Sequence, residues 1–264
     1  MAKLRASRSE IMSNARLKLY PSACCLQVSN AIIFREPGWE PCKRSYDVPP
    51  KGKGSDPERS MLVSRARAKS AVRDIALLNS FGFFFTWTLD PKKINRHDAD
   101  EVKRAVMNCL KNLVKRKGFS YVLVPELHKD GAIHFHGLCN LGSMRIERAV
   151  NPHTNNPMST DRGQPIFNMP DWKFGYSTCI PIDDNYTRTC NYLVKYLTKD
   201  TVVGAQKIFG KWYFSSRNLA RKPAIQLISD VSFDEFREEN PDCPVIDLYR
   251  DVKLSSAWIG GASL

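Results

Sequence analysis

The sequence predicts an α+β protein: an antiparallel β-sheet with flanking helices. Three observations carry that expectation. The run Phe83–Leu89 (FFFTWTL) is aromatic and β-branched, two apolar runs at 121–127 and 132–138 bracket Lys129-Asp130-Gly131, and stretches with helical spacing lie before, between and after them. Two strands joined by so tight a turn must run antiparallel, because a parallel pair needs a long crossover.

In chain order, residues 47–57 (DVPPKGKGSDP) have the Pro, Gly and Ser content of a linker and separate a basic N-terminal arm from the rest of the chain. Residues 59–78 read as a helix bearing Arg65, Arg67, Lys69 and Arg73. Phe83–Leu89 ends at Asp90-Pro91 and reads as a buried strand. From Asp98, a natural N-cap, Val102, Val106, Cys109, Leu110 and Leu113 recur at helical spacing. Lys115 to Lys117 with Gly118 close that helix. The hairpin 121–138 comes next. Residues 142–175, rich in Asn, Pro and Gly, read as a long loop, and 186–199 as a helix. No internal repeat or low-complexity tract interrupts this order.

Composition narrows the function classes. The 264 residues carry 40 Lys+Arg against 27 Asp+Glu, a formal charge of +13, with 42% hydrophobic residues. Such a chain can bury a core, which excludes wholesale disorder and fibrous folds. Its field favours a polyanion, and nucleic acid is the commonest one in a cytoplasm. Residues 201–229 hold Lys207, Lys211, Arg217, Arg221 and Lys222 without any acid, whereas 230–264 are net acidic. The charge-free stretches 19–34 and 75–89 are too short and too polar to span a bilayer, and no signal peptide is read. The eight cysteines form no CxxC pair. Reduced thiols in a cytoplasm are therefore expected, with a zinc cluster in the N-terminal part as the alternative.

Residues 126–137 read Glu-Leu-His-Lys-Asp-Gly-Ala-Ile-His-Phe-His-Gly. Strand alternation puts His134 and His136 on one face, with Phe135 opposite. A two-residue Asp130-Gly131 loop would pair Glu126 with Phe135 and turn it away. A three-residue Lys129-Asp130-Gly131 loop, with Gly131 in the left-handed region, pairs Glu126 with His134, and this form is expected. Two imidazoles and a carboxylate would then suit a catalytic divalent ion, Mg2+ or Mn2+, leaving positions open for water or a substrate oxygen. His128 lies on the Glu126 face, and His97 and His153 have no assigned role.

Residues 192–199 read Tyr-Leu-Val-Lys-Tyr-Leu-Thr-Lys. At helical spacing Tyr192, Lys195, Tyr196 and Lys199 share one stripe, while Cys190, Leu193, Val194 and Leu197 form a separate core side. A tyrosine is a poor nucleophile at neutral pH, and a lysine one turn away favours its phenolate or neutralises a phosphate. Together the two sites suggest that a metal at Glu126, His134 and His136 polarises a phosphodiester while Tyr192 or Tyr196 attacks phosphorus. The covalent phosphotyrosine would conserve the bond energy for rejoining, so no nucleotide cofactor is required. The nearest phosphate-loop lookalike, GAQKIFGKW at 204–212, has the wrong glycine spacing and Trp212 where Ser or Thr should hold magnesium.

These residues resemble the HUH endonuclease superfamily, in particular the rolling-circle replication initiators of phages, plasmids and small single-stranded DNA viruses. Three motifs in the expected order carry the resemblance: Phe84-Phe85-Thr86-Trp87-Thr88-Leu89, Glu126 with His134-Phe135-His136, and Tyr192-Leu-Val-Lys195-Tyr196-Leu-Thr-Lys199. The YxxKYxxK form is similar to the two-tyrosine phage type. Phe174-Gly175-Tyr176-Ser177-Thr178 and 208–213 also resemble initiators of phages in low-GC Gram-positive hosts.

The resemblance implies the RRM-like palm fold, with the histidine hairpin central and the tyrosine helix over it. It implies an origin-specific nick in single-stranded DNA, leaving a 5′-phosphotyrosine and a 3′-hydroxyl for a polymerase, with a host helicase and polymerase as partners in a bacterial cytoplasm. Catalysis would fall to Tyr192, Tyr196, Lys195 and Lys199. Thr86, Thr88, Lys129, Lys207, Lys211 and Arg217 are candidate DNA contacts. The expected division is an N-terminal arm and linker (1–55), the endonuclease domain (56–229) and an acidic tail (230–264). The alternatives are a transposase or relaxase of the same superfamily, or a basic DNA-binding regulator without catalysis.

Overall fold

The computed structural model describes residues 12–36, 56–183, 185–197, 207–249 and 251–259. In chain order the strands are β1 (Met12–Ser13), β2 (Ala15–Leu19), β3 (Cys24–Ser29) and β4 (Phe34–Arg35), then helix α1 (Pro57–Asn79), β5 (Phe83–Leu89), α2 (Ala99–Lys117), β6 (Ser120–Leu127) and β7 (Ile133–Asn140). The short strands β8 (Glu147–Arg148) and β9 (Phe167–Asn168) precede β10 (Gly175–Pro181) and α3 (Tyr186–Lys195). The chain continues through β11 (Phe214–Ser215), β12 (Ala224–Ile228), α4 (Phe233–Glu239), β13 (Val245–Tyr249) and β14 (Val252–Ile259). The fold class is the one the sequence predicts: α+β, on antiparallel sheets with flanking helices.

The chain divides into two compact units, 55–221 and a second formed by 1–54 with 222–264. In the first, seven strands pair in the order β11-β6-β7-β5-β10-β9-β8. Phe85, Trp87, Leu123, Phe135 and Cys179 cover one face of this sheet and pack with Val102, Val106, Leu110 and Leu113 of α2. Trp87 stacks on Trp172, with ring centroids 4.3 Å apart, so the aromatic strand β5 forms the centre of the core. Helix α2 starts and stops where its residues dictate. The Asp98 carboxylate accepts from the Asp100 and Glu101 amides, and Gly118 closes the helix at φ +68°.

The 142–175 stretch is not wholly irregular: it contributes β8, β9 and two isolated bridges. In the second unit five strands pair in the order β12-β2-β3-β14-β13. The N-terminal and C-terminal segments thus share one sheet, and residues 224–228 belong to it as the partner of β2. Among the described residues no helix is long and apolar enough to cross a membrane, and the described cysteines are free thiols. Cys42 lies outside the described residues.

Candidate functional site: an imidazole, carboxylate and phenol cluster

The β6–β7 turn has the three-residue form. Gly131 sits at φ +81°, the His128 amide donates to the Ala132 carbonyl, and Glu126 pairs with His134. Asp130 braces the turn by accepting from the Ala132 amide at 3.0 Å and pairing with Arg96 at 2.9 Å. The backbone hydrogen bond, then Arg96, holds its carboxyl below the usual carboxylate range. Because the register is fixed, Glu126, His134 and His136 share the face opposite the α2 core, all three nearly buried.

The β5–β7 register adds a layer. Thr86 lies opposite His136 and Thr88 opposite His134. Each threonine Oγ1 meets the imidazole Nδ1 across from it, at 3.1 Å for His136 and 3.2 Å for His134. Both rings are therefore held through Nδ1, which turns Nε2 away from the sheet. His136 Nε2 meets Glu126 Oε2 at 2.7 Å. Burial and then the neighbouring His128 lower the His134 pKa to about 4, so this ring is neutral at pH 7. His128 stacks on His134 with centroids 3.6 Å apart.

Helix α3 brings the phenols. Tyr186 anchors it to α1 by donating to the Ala76 carbonyl at 2.6 Å and accepting from the Phe81 amide at 2.8 Å, and Arg73 donates to Asn191 at 3.1 Å. Cys190, Leu193 and Val194 are buried on its core side. Tyr192 and Tyr196 face the imidazoles instead. The Tyr196 ring lies parallel on His136, centroids 3.7 Å apart, and its hydroxyl donates to Tyr192 Oη at 2.7 Å. Burial, then the bond to Tyr192, pushes the Tyr196 phenol well above the ordinary tyrosine pKa, so it stays protonated at neutral pH. Tyr192 is 46% exposed.

The structure thus gathers Glu126, His134, His136, Tyr192 and Tyr196, with Thr86 and Thr88 beneath the imidazoles. Lys195 is exposed on the last turn of α3, which ends there with Tyr196 as its C-cap. Lys199 lies outside the described residues. Lys129 is exposed at the hairpin tip, while Lys207, Lys211 and Arg217 gather at the far edge of the sheet, beside β11. Sequence reasoning missed Phe84, whose ring contacts His136, Tyr192 and Tyr196 at 6.2, 5.5 and 6.5 Å between centroids. Its signal was the period-two step from Thr86 and Thr88 along β5.

The donor set suits a divalent ion. Neutral imidazole nitrogens and a carboxylate are ligands that Mn2+ accepts and Mg2+ tolerates, and Nε2 of His136 already converges with a Glu126 oxygen. Among the described residues no three His, Cys, Asp or Glu side chains form a ready ligand set. His134 is the donor that would have to turn in.

An antiparallel sheet carrying two threonine-held imidazoles beneath a pair of tyrosines defines a polar site built for a charged substrate rather than an apolar one. Residues 82–201 match the model of a family of replication-associated proteins, the ORF2 type, which supports a replication-initiator role and a nuclease-type activity. The match contains the whole cluster, from β5 through α3. No curated protein and no solved structure matches the chain.

Proposed function

We propose that the protein initiates rolling-circle replication by nicking single-stranded origin DNA through tyrosine attack, and that it later rejoins strands by the reverse step. The observation that carries this reading is the stacking of Tyr196 on His136, with Tyr192 hydrogen-bonded to it. It puts two phenols and the imidazole–carboxylate pair on one face of one sheet. A divalent ion at Glu126, His134 and His136 would supply Lewis-acid activation of the scissile phosphate.

The chain's own residues account for the rest. Tyr192 Oη attacks phosphorus, the Tyr–O–P bond forms as the P–O3′ bond breaks, and the phenolic proton ends on the released 3′-hydroxyl. Tyr192 is the better first nucleophile because it is the more exposed phenol and receives the Tyr196 hydrogen bond. That bond stabilises negative charge developing on the Tyr192 oxygen. Tyr196 remains available for a second cleavage while Tyr192 is occupied. Lys195, on the last turn of α3, is placed to neutralise the phosphate, and Lys199 extends the same sequence stripe. Thr86 and Thr88 act on the imidazoles, and Lys129, Lys207, Lys211 and Arg217 contact DNA. The free 3′-hydroxyl would serve a host polymerase, with a host helicase unwinding ahead of it, in the bacterial cytoplasm.

The test mixes the protein with Mn2+ and labelled single-stranded origin DNA and resolves the products on a denaturing gel. A protease-sensitive, shifted band is expected and should vanish in EDTA. The band should also vanish in the Tyr192→Phe, Tyr196→Phe double variant; a band that survives there refutes the tyrosine assignment.

A further inference from the structure

At the edge strand β11 a cleft of about 460 Å³ opens, lined by Tyr121, Tyr213 and Phe214 together with Lys207, Lys211 and Arg217. Its size is that of a small-ligand pocket. Cations and rings are interleaved along it. Lys207 Nζ lies 5.8 Å from the centre of Trp212, and Lys211 Nζ lies 5.8 Å from that of Phe214. One wall is fixed, since Arg221 donates to Ser215 Oγ and to the Ser216 carbonyl. The Trp212 indole is fixed too, by donating to Ser64 Oγ at 3.0 Å.

Two features point to the occupant. Among the described residues, Lys207, Lys211 and Arg217 form no salt bridge, so three positive charges meet in one concavity uncompensated. Tyr213 is partly exposed and has no ring, cation or hydrogen-bond partner among the described residues. An unengaged aromatic ring beside uncompensated cations is the chemistry that takes one base and its phosphates. A duplex cannot present a base to such a ring, because its bases are stacked on one another, whereas a single strand can.

We propose that this cleft is a single-strand subsite separate from the cluster on β7, in which Tyr213 stacks one unpaired base and Lys207, Lys211 and Arg217 hold the flanking phosphates. It deepens the reading above and rests on it for the identity of the strand as DNA. β11 is two strands from β7 in the sheet order, about 10 Å across the sheet, so one continuous strand can reach both sites. The subsite falls outside residues 82–201 apart from Tyr121, so it is a property of this chain beyond the family match.

The test is fluorescence anisotropy with labelled dT12, without divalent metal, on the full chain. A variant carrying Lys207→Ala, Lys211→Ala and Arg217→Ala should bind at least tenfold more weakly. The slope of log K against log salt should become shallower by about 2 for three lost phosphate contacts. Tyr213→Leu should weaken binding about tenfold with the slope unchanged, because stacking releases no counterions. Circular dichroism and thermal melting of each variant establish that it is folded, and Tyr213→Phe, which keeps the ring, should bind as the native chain does.

Unchanged dT12 affinity in both folded variants would overturn the proposal. So would equal losses on a matched duplex, which mark a mere electrostatic surface, or competition by dTMP as effective as by dT12, which marks a mononucleotide pocket. The two readings fail separately. A chain that forms the covalent adduct but binds dT12 independently of the cleft sinks the subsite alone. A chain whose dT12 binding depends on the cleft but which forms no adduct sinks the nicking mechanism and supports the subsite.

Discussion

Thr86 and Thr88 show how much of a site can rest on groups that never touch the substrate. Their hydroxyls meet Nδ1 of His136 and His134, fixing each ring's orientation and directing Nε2 away from the sheet. Outer partners of this kind are typically worth 10- to 100-fold in metal affinity. The Thr86→Val, Thr88→Val variant is therefore expected to bind Mn2+ about 10- to 100-fold more weakly by titration calorimetry. Its sheet should stay intact, because valine suits a strand as well as threonine does. The tyrosines yield a second expectation. Removing the Tyr196 hydroxyl deletes one hydrogen bond to a charged oxygen, a contribution of about 1.5–3 kcal/mol. Tyr196→Phe should then slow first-strand adduct formation roughly 10- to 100-fold, while Tyr192→Phe should abolish it. Equal rates in the two single variants would remove the proposed order of attack.

The hairpin β6–β7 was legible because its turn is local. Gly131 takes the left-handed conformation that only glycine adopts cheaply, and that one residue fixes which side chains oppose one another. Helix α2 was legible for the same reason, its cap, periodic apolar positions and closing glycine all lying within its own segment. Replacing Asp98 by Ala should cost about 1 kcal/mol in a denaturant titration, the usual worth of an N-cap. The partners of β5 were not legible, since no local signal sets its register against β7, and the threonines were accordingly read as DNA contacts. Phe84 was missed for the same reason. Gly137 reveals how close the packing under the site is: a Cβ there would lie 2.6 Å from the Phe85 ring and from the Val122 carbonyl oxygen. Gly137→Ala is expected to destabilise by about 1–3 kcal/mol through overpacking, seen as a lower Tm, although alanine has no conflict with a strand.

The chain as a whole is two units, and neither end of the sequence forms a unit by itself. Strand β2 pairs with β12 and β3 pairs with β14, so the N-terminal strands depend on partners more than 190 residues away for their sheet. A chain ending at Arg221 would leave β2 and β3 as an isolated hairpin, and two strands alone are marginal in water. Limited proteolysis of that truncation should cleave within residues 12–36 at a protease level the full chain resists. The unit 55–221 should remain resistant and keep its Mn2+ affinity. Rapid loss of the whole truncated chain would show instead that 55–221 cannot stand without the second sheet.

By itself the sequence determined what is set within a few residues or by summed charge: the α+β class, helix α2, the hairpin turn and the cationic field. It also put two imidazoles and a carboxylate on one strand face, and the phenols Tyr192 and Tyr196 on one helix face. Only the tertiary structure decided that those two faces meet, because their approach depends on Tyr186 and Arg73 anchoring α3 to α1, contacts more than 100 residues apart in the chain. It also decided that Thr86 and Thr88 hold the imidazoles and that the two termini share a sheet. Side-chain alternation and helical period are local properties of the backbone, whereas strand order and register arise from packing between distant segments, for which no short stretch of sequence carries the signal.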